Sequence, residues 1–245
     1  MKNKVESFLA TCETNLPIMI KRTLTALVLL FTIAAAKAQD WPNLNKYGDA
    51  NSRVLPPAAN GKRVVYMGDS ITEFWLNNDS AFFATNSYIN RGISGQTTGQ
   101  MLLRFRQDVI SLKPDVVVIL AGINDIAQNN GPEKLEDIFG NIVSMAELAK
   151  ANHIKVVISS VLPAFALPWR PAIDPVPQVA ALNDLLKAYA AKNGITYLDY
   201  FTAMADERKG LPANFSKDGV HPNLAGYKVM EPLAVKAINA ALSKK

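Results

Sequence analysis

A chain of 245 residues can bury one substantial core and is short for two ordinary domains. Its 49% hydrophobic and 19% charged residues exclude a disordered chain. Of its formal net charge of +5, more than half sits in the first 38 residues, so the remainder offers no electrostatic reason for a nucleic-acid partner.

Residues 1–38 read as an N-terminal extension leading into a secretory signal. Lys21 and Arg22 precede an apolar run from Leu24 to Ala36, and Ala36-Lys37-Ala38 places small residues where a signal peptidase cuts. The run is too short to span a bilayer comfortably, so stable membrane insertion is not expected once it is removed. Met19 fits the initiator of that signal, which makes the first 18 residues surplus. Cleavage after Ala38 would leave 207 residues carrying 21 basic and 19 acidic side chains. It would also remove Cys12, the only cysteine, and with it any disulfide, cysteine nucleophile or thiolate metal site. A secreted or periplasmic protein is therefore expected.

Residues 39–61 are polar and proline-bearing and read as an irregular lead-in. From residue 62 to 245 strands alternate with helices. Short β-branched runs occur at Arg63–Met67 and Ser87–Asn90, and continuous apolar runs at Asp115–Leu120 and Lys155–Ser160. A shorter run at Ile195–Leu198 completes five strands. Helical spacing of apolar residues marks segments near 98–111, 133–152, 179–193 and 224–242. Uninterrupted apolar strands are covered on both faces, and alternation with helices implies a mostly parallel α/β sheet. Functional groups in such sheets gather beyond the carboxyl ends of the strands.

Three motifs meet that positional test. Gly68-Asp69-Ser70 follows the first strand, where a serine at a strand-to-helix turn is exposed beside a helix N-terminus, although Asp and Ser there are also ordinary caps. Asn90-Arg91-Gly92-Ile93-Ser94-Gly95 follows the second strand and suits a backbone loop close to a ligand, or a tight turn. Gly122-Ile123-Asn124-Asp125 follows the third, where the Asn124 amide could donate to an oxyanion or cap a helix. Near the C-terminus, Asp218-Gly219-Val220-His221 sets a carboxylate three residues before a histidine. That spacing lets Asp218 accept from Nδ1 while Nε2 takes a serine proton. His153, the other histidine, lies on the amino side of the sheet at a helix end and reads as a helix cap.

Taken together and in order, these four blocks make the chain from Arg63 to the C-terminus resemble the GDSL esterases, or SGNH hydrolases. The resemblance implies a flavodoxin-like three-layer α/β/α sandwich over residues 62–245. It implies Ser70 as nucleophile, His221 as base and Asp218 as its orienter. It also implies an oxyanion hole of the Ser70 N–H, the Gly95 N–H and the Asn124 amide, with neither metal nor organic cofactor. The choice of Gly95 over Gly92 comes from the family pattern.

Asp69 and Trp75 beside the nucleophile, and Trp169 and Arg170 in the proline-rich loop after strand four, are candidates for substrate contact; Phe82 and Phe83 read as core. No long amphipathic lid is evident. A short acyl group on a carbohydrate is the expected substrate, with a lysophospholipase or acyl-thioesterase as the alternative within the family. A non-catalytic glycan-binding module is the alternative of another class, and it would have no need of Asp218 beside His221.

Overall fold

The computed structural model describes residues 40–57 and 62–244. The expected signal, Cys12 and the cleavage after Ala38 lie outside the described residues. Five strands form one sheet: β1 (Val64–Gly68), β2 (Tyr88–Gly92), β3 (Val116–Leu120), β4 (Lys155–Ser159) and β5 (Thr196–Leu198). Their order is β2-β1-β3-β4-β5, and all four pairings are parallel. Every residue of β1 and β3 is buried, as their unbroken apolar runs require of strands covered on both faces.

The helices are α1 (Gly48–Ser52), α2 (Ser70–Asn78), α3 (Ser80–Asn86), α4 (Thr98–Asp108), α5 (Ile123–Ile126), α6 (Leu135–Ala151), α7 (Val176–Lys192), α8 (Tyr200–Met204) and α9 (Leu224–Ser243). Helix α6 shows why such segments fold as they do. Ile138, Ile142, Met145 and Ala149 recur at helical spacing and all are buried, so one stripe faces the sheet. His153 ends the turn after α6 at φ +61°, its N–H donating to Lys150 O at 3.0 Å. Helices α4, α6 and α7 pack side by side, while α2 and α8 pack against α9, which gives the three-layer α/β/α sandwich. Among the described residues no helix is long and apolar enough to cross a membrane.

The 2-1-3-4-5 order reverses the winding direction between β1 and β3. In sheets of this kind ligand sites form at that switch point, beyond the carboxyl ends of those two strands. Ser70 follows β1 and Asn124 follows β3, so the topology brings them to one place.

The lead-in is less irregular than its composition suggests. It contains α1, and glutamines of the β2–α4 segment and α4 hold its carbonyls. Gln96, Gln100 and Gln107 donate to Pro42 O (2.8 Å), Trp41 O (2.7 Å) and Leu44 O (2.6 Å). The Tyr47 hydroxyl donates to Gly92 O, and its ring lies under the Arg91 guanidinium, 4.7 Å from the centroid. None of these contacts has a sequence period, because each depends on a distant partner.

Candidate active site

Asp69 caps α2 through Oδ1, which accepts from Ile71 N–H at 2.9 Å, so Ser70 becomes the helix's first residue. Ser70 is largely buried, and its Oγ lies 2.9 Å from His221 Nε2. On the other side of the ring, His221 Nδ1 lies 2.6 Å from Asp218 Oδ2. Asp218 Oδ1 also accepts from the N–H groups of Val220 (2.9 Å) and His221 (2.8 Å). Burial alone would raise the Asp218 pKa, but these donors and the facing imidazole outweigh it and bring it to about 2. Nδ1 therefore faces a carboxylate and Nε2 faces the serine hydroxyl, an arrangement chemically able to move a proton off serine.

Two helices hold these groups in register. Asn223 caps α9, its Oδ1 accepting from Gly226 N–H at 3.1 Å. Tyr227 on α9 donates to Ile71 O on α2 at 2.8 Å, so the helix after His221 is tied to the helix after Ser70. Ser216 supports the intervening turn. Its hydroxyl accepts from Gly219 N–H at 2.9 Å and lies 3.0 Å from Asp218 Oδ1 and 2.8 Å from His221 O.

The loop after β2 gives different settings to the two glycines that lie three positions apart in sequence. Gly92 ends the strand under α2, where a Cβ would come 2.2 Å from Glu73 N and 2.7 Å from Asp69 O. Gly95 turns the loop at φ +77°, with open space where a Cβ would sit. Glu73 on α2 fixes the loop by accepting Ser94 N–H at 2.7 Å.

Asn124 does not cap its helix. The N-cap of α5 is Gly122 at φ +121°, and the Asn124 side chain reaches back to the β2 loop. Its Nδ2 donates to Gln96 O at 3.0 Å, and its Oδ1 accepts from Asn129 Nδ2 at 2.9 Å. One N–H of the amide is left for another acceptor. Asp125 accepts from Thr98 N–H and Oγ at 2.9 and 2.6 Å, pinning the start of α4 beside α5. Burial raises this carboxyl to about 7 against the lowering effect of those bonds.

Of the residues suggested for substrate contact, Trp169 stands beside His221 and Arg170 shares a cavity with Trp169. Trp169 is 38% exposed, with its ring 6.0 Å from the imidazole of His221. The exposed Arg170 donates through Nε to Ala127 O at 3.3 Å. Both line a cavity of about 460 Å³ with Gln128, Pro171, Ala172 and Ile173. The other two are corrected. Trp75 is in the core, stacked on Phe82 at 5.0 Å and on Tyr227 at 5.3 Å, because its position on α2 faces the sheet and α9. Asp69 is buried beneath the turn and spends Oδ1 on its cap. Phe82 and Phe83 are core, whereas the Phe74 ring lies 5.3 Å from the imidazole. Sequence reading did not single out Glu73, Asn129 or Ser216. Only the polar run Gln128-Asn129-Asn130 before Gly131 hinted at a built turn.

Among the described residues no three His, Cys, Asp or Glu side chains gather in a way that could hold a metal ion. A second cavity, of about 400 Å³, lies at the amino edge of the sheet among Lys150, His153, Lys155 and Lys244, far from these motifs.

The crystal structure of a candidate acylhydrolase from Bacteroides fragilis NCTC 9343 is 52% identical, covers 83% of this chain and 99% of that one, and superposes with a TM-score of 0.82. An acetylxylan esterase of Geobacillus stearothermophilus is 29% identical over 155 residues, 58% of this chain and 67% of that protein. The uncharacterized lipoprotein YqeF of Bacillus subtilis (strain 168) is 28% identical over 59% of this chain, and the alignment spans only 58% of that protein. The model of the GDSL-like lipase/acylhydrolase family matches residues 66–229, from β1 into α9, and the chain belongs to that family.

Proposed function

We propose that the protein is an exported serine esterase that removes short acyl groups, acetyl first among them, from a carbohydrate. The observation that carries the reading is the unbroken chain from Asp218 Oδ2 through the imidazole (2.6 Å) to Ser70 Oγ (2.9 Å). His221 Nε2 takes the Ser70 proton as Oγ attacks the ester carbonyl. The oxyanion is held by the N–H groups of Ser70 and Gly95 and the free N–H of Asn124, each worth about 3–4 kcal/mol in sites of this type. The alcohol leaves with the proton from His221. Water then attacks the acyl-serine, His221 again takes the proton, and the acid departs as Ser70 recovers it.

A carbohydrate alcohol is supported by Trp169 and the adjoining cavity, of the size that small-molecule sites have, since an aromatic face suits a sugar ring. The acetylxylan esterase among the relatives points to the same substrate class. Export is supported by the signal pattern ending at Ala38.

Fluorophosphonate labelling with p-nitrophenyl acetate turnover tests the chemistry. Label is expected on Ser70, and Ser70→Ala, His221→Ala and the double variant should lose activity to a similar, non-additive extent. Label on another serine, or full turnover in Ser70→Ala, defeats the assignment. Asn124→Asp should lose roughly 10²–10³ in kcat, because a carboxylate would face the oxyanion, and should melt somewhat lower than wild type, because the bond to Gln96 O is lost. Acetate release from acetylated glycans, set against hydrolysis of lysophospholipids and acyl thioesters, tests the substrate. Preference for either of the latter two refutes the carbohydrate reading.

A further inference from the structure

Asn129 stands at a junction that the chemistry above does not use. Gln128 adopts the left-handed φ of +56° and its N–H donates to Asp125 O at 2.8 Å, which turns the chain back over α5. Asn129 N–H then donates to Asn124 O at 3.0 Å. Its side chain meets three more partners. Nδ2 lies 2.9 Å from Asn124 Oδ1 and 3.3 Å from Gly95 O, and Oδ1 accepts from Trp169 Nε1 at 3.1 Å. A primary amide has two N–H donors and a carbonyl acceptor, so each partner finds the group it needs.

We propose that Asn129 is a positioning residue: it locks the orientation of the Asn124 amide and ties both side-chain and loop oxyanion donors to the aromatic wall at Trp169. The inference rests on the oxyanion reading of Asn124 and Gly95. An amide can present oxygen or nitrogen to a neighbour by a half-turn of its terminal group. With Asn129 donating to its Oδ1 and Gln96 O accepting from its Nδ2, Asn124 has one orientation and one remaining N–H. Gly95 is held through its own carbonyl by the same Nδ2, so loop and amide share one anchor. Through Trp169 Nε1 that anchor also reaches the wall of the 460 Å³ cavity, whose contact with substrate is thereby coupled in position to the donors.

Replacing the anchor by its near-isostere separates this role from ordinary loop stability. Asn129→Asp keeps the shape and the acceptor for Trp169 but sets a carboxylate oxygen against Asn124 Oδ1 and Gly95 O. The Asn124 amide then reverses and points its oxygen at the reacting centre. Asn129→Asp is therefore expected to lower kcat by about 10²-fold, more than Asn129→Ala, which removes the lock without forcing reversal and costs about 10-fold. A purely structural residue would rank the two the other way, the isostere being the milder change. In an Asn124→Ala background, Asn129→Asp should lower kcat by no more than about 10-fold, since there is no amide left to reverse and only the Gly95 anchor remains to be lost. Trp169→Phe, which removes the indole N–H together with the pyrrole half of the ring, is expected to act on KM for an acetylated glycan rather than on kcat.

Kinetics of the purified variants with p-nitrophenyl acetate decide the point, with Tm measured alongside and Asn129→Ala serving if Asn129→Asp does not fold. Wild-type kcat in the foldable Asn129 variants beside a crippled Asn124→Ala overturns the positioning role alone, as does a loss that adds in full to that of Asn124→Ala. Wild-type kcat in Asn124→Ala defeats the oxyanion reading, and the positioning role falls with it.

Discussion

Asp69 shows how one side chain can be well placed and costly at once. Its Oδ1 caps α2, while Oδ2 is buried and has no hydrogen-bond partner among the described residues. Burial is the largest influence on it and raises its pKa to about 6, against the Ile71 N–H bond that favours the charged form. The folded chain thus binds a proton that the unfolded chain has released, so stability falls as pH rises from about 4 to about 6 and stays reduced above that. A shift of about two units corresponds to roughly 3 kcal/mol. Asp69→Asn keeps the capping oxygen and removes the charge. Urea denaturation should show it about 1–2 kcal/mol more stable than wild type at pH 8, with a flatter profile between pH 4 and 6. An unchanged slope would mean that another group titrates there. Asp125, raised to about 7 by burial, acts in the same direction over a wider window. Asp218, held near 2, contributes stability that is present above about pH 4 and lost only as pH falls toward 2.

At the scale of elements, the seating of α2 on β2 depends on the absence of a side chain at Gly92. A Cβ there would meet only backbone, at 2.2 Å from Glu73 N and 2.7 Å from Thr72 C, so no rotamer change relieves the contact. Gly92→Ala is expected to cost about 3 kcal/mol or more, read as a lower urea midpoint with an unchanged m value. Because α2 begins at Ser70, the same displacement should lower kcat in the fraction that remains folded. A variant with wild-type stability would show that the helix and strand are less tightly seated than described. Gly95 offers a contrast, since its Cβ would enter open space and only the φ of +77° resists substitution, by about 1 kcal/mol.

Across the whole molecule, a buried polar network joins the lead-in to the sheet. Arg104 on α4 is fully buried; Nη1 pairs with Asp108 Oδ2 at 2.9 Å and Nη2 donates to Gly68 O at 3.0 Å, one residue before Asp69. Asp108 Oδ1 accepts from Asn51 on α1 at 2.6 Å, and Asn51 Oδ1 accepts from Arg91 Nε at 2.8 Å. Taking one partner from a buried pair leaves an uncompensated charge, whereas replacing both by apolar groups removes the need for compensation. Arg104→Met should therefore destabilise by about 3–5 kcal/mol, and Arg104→Met with Asp108→Leu should recover most of that loss in thermal melts. A double variant as unstable as the single one would show that Gly68 O and Asn51, not the ion pair, are what Arg104 and Asp108 serve.

The strands, the main helices and the α/β class were legible in the chain itself, because β-branched runs and helical spacing are local properties that burial on a sheet enforces. So were the motif positions, since the carboxyl end of a strand can be read from where its apolar run stops. Only the tertiary structure decided which of those residues meet. Ser70 and His221 are 151 positions apart, and their 2.9 Å contact follows from α2 and α9 being tied through Tyr227. Trp75 is five residues from Ser70 yet lies in the core, while Trp169, nearly a hundred residues away, stands beside the imidazole. Asn129 escaped notice, and the lead-in read as irregular, for the same reason. A side chain's partners across elements are set by packing and helix rotation, which no local period records.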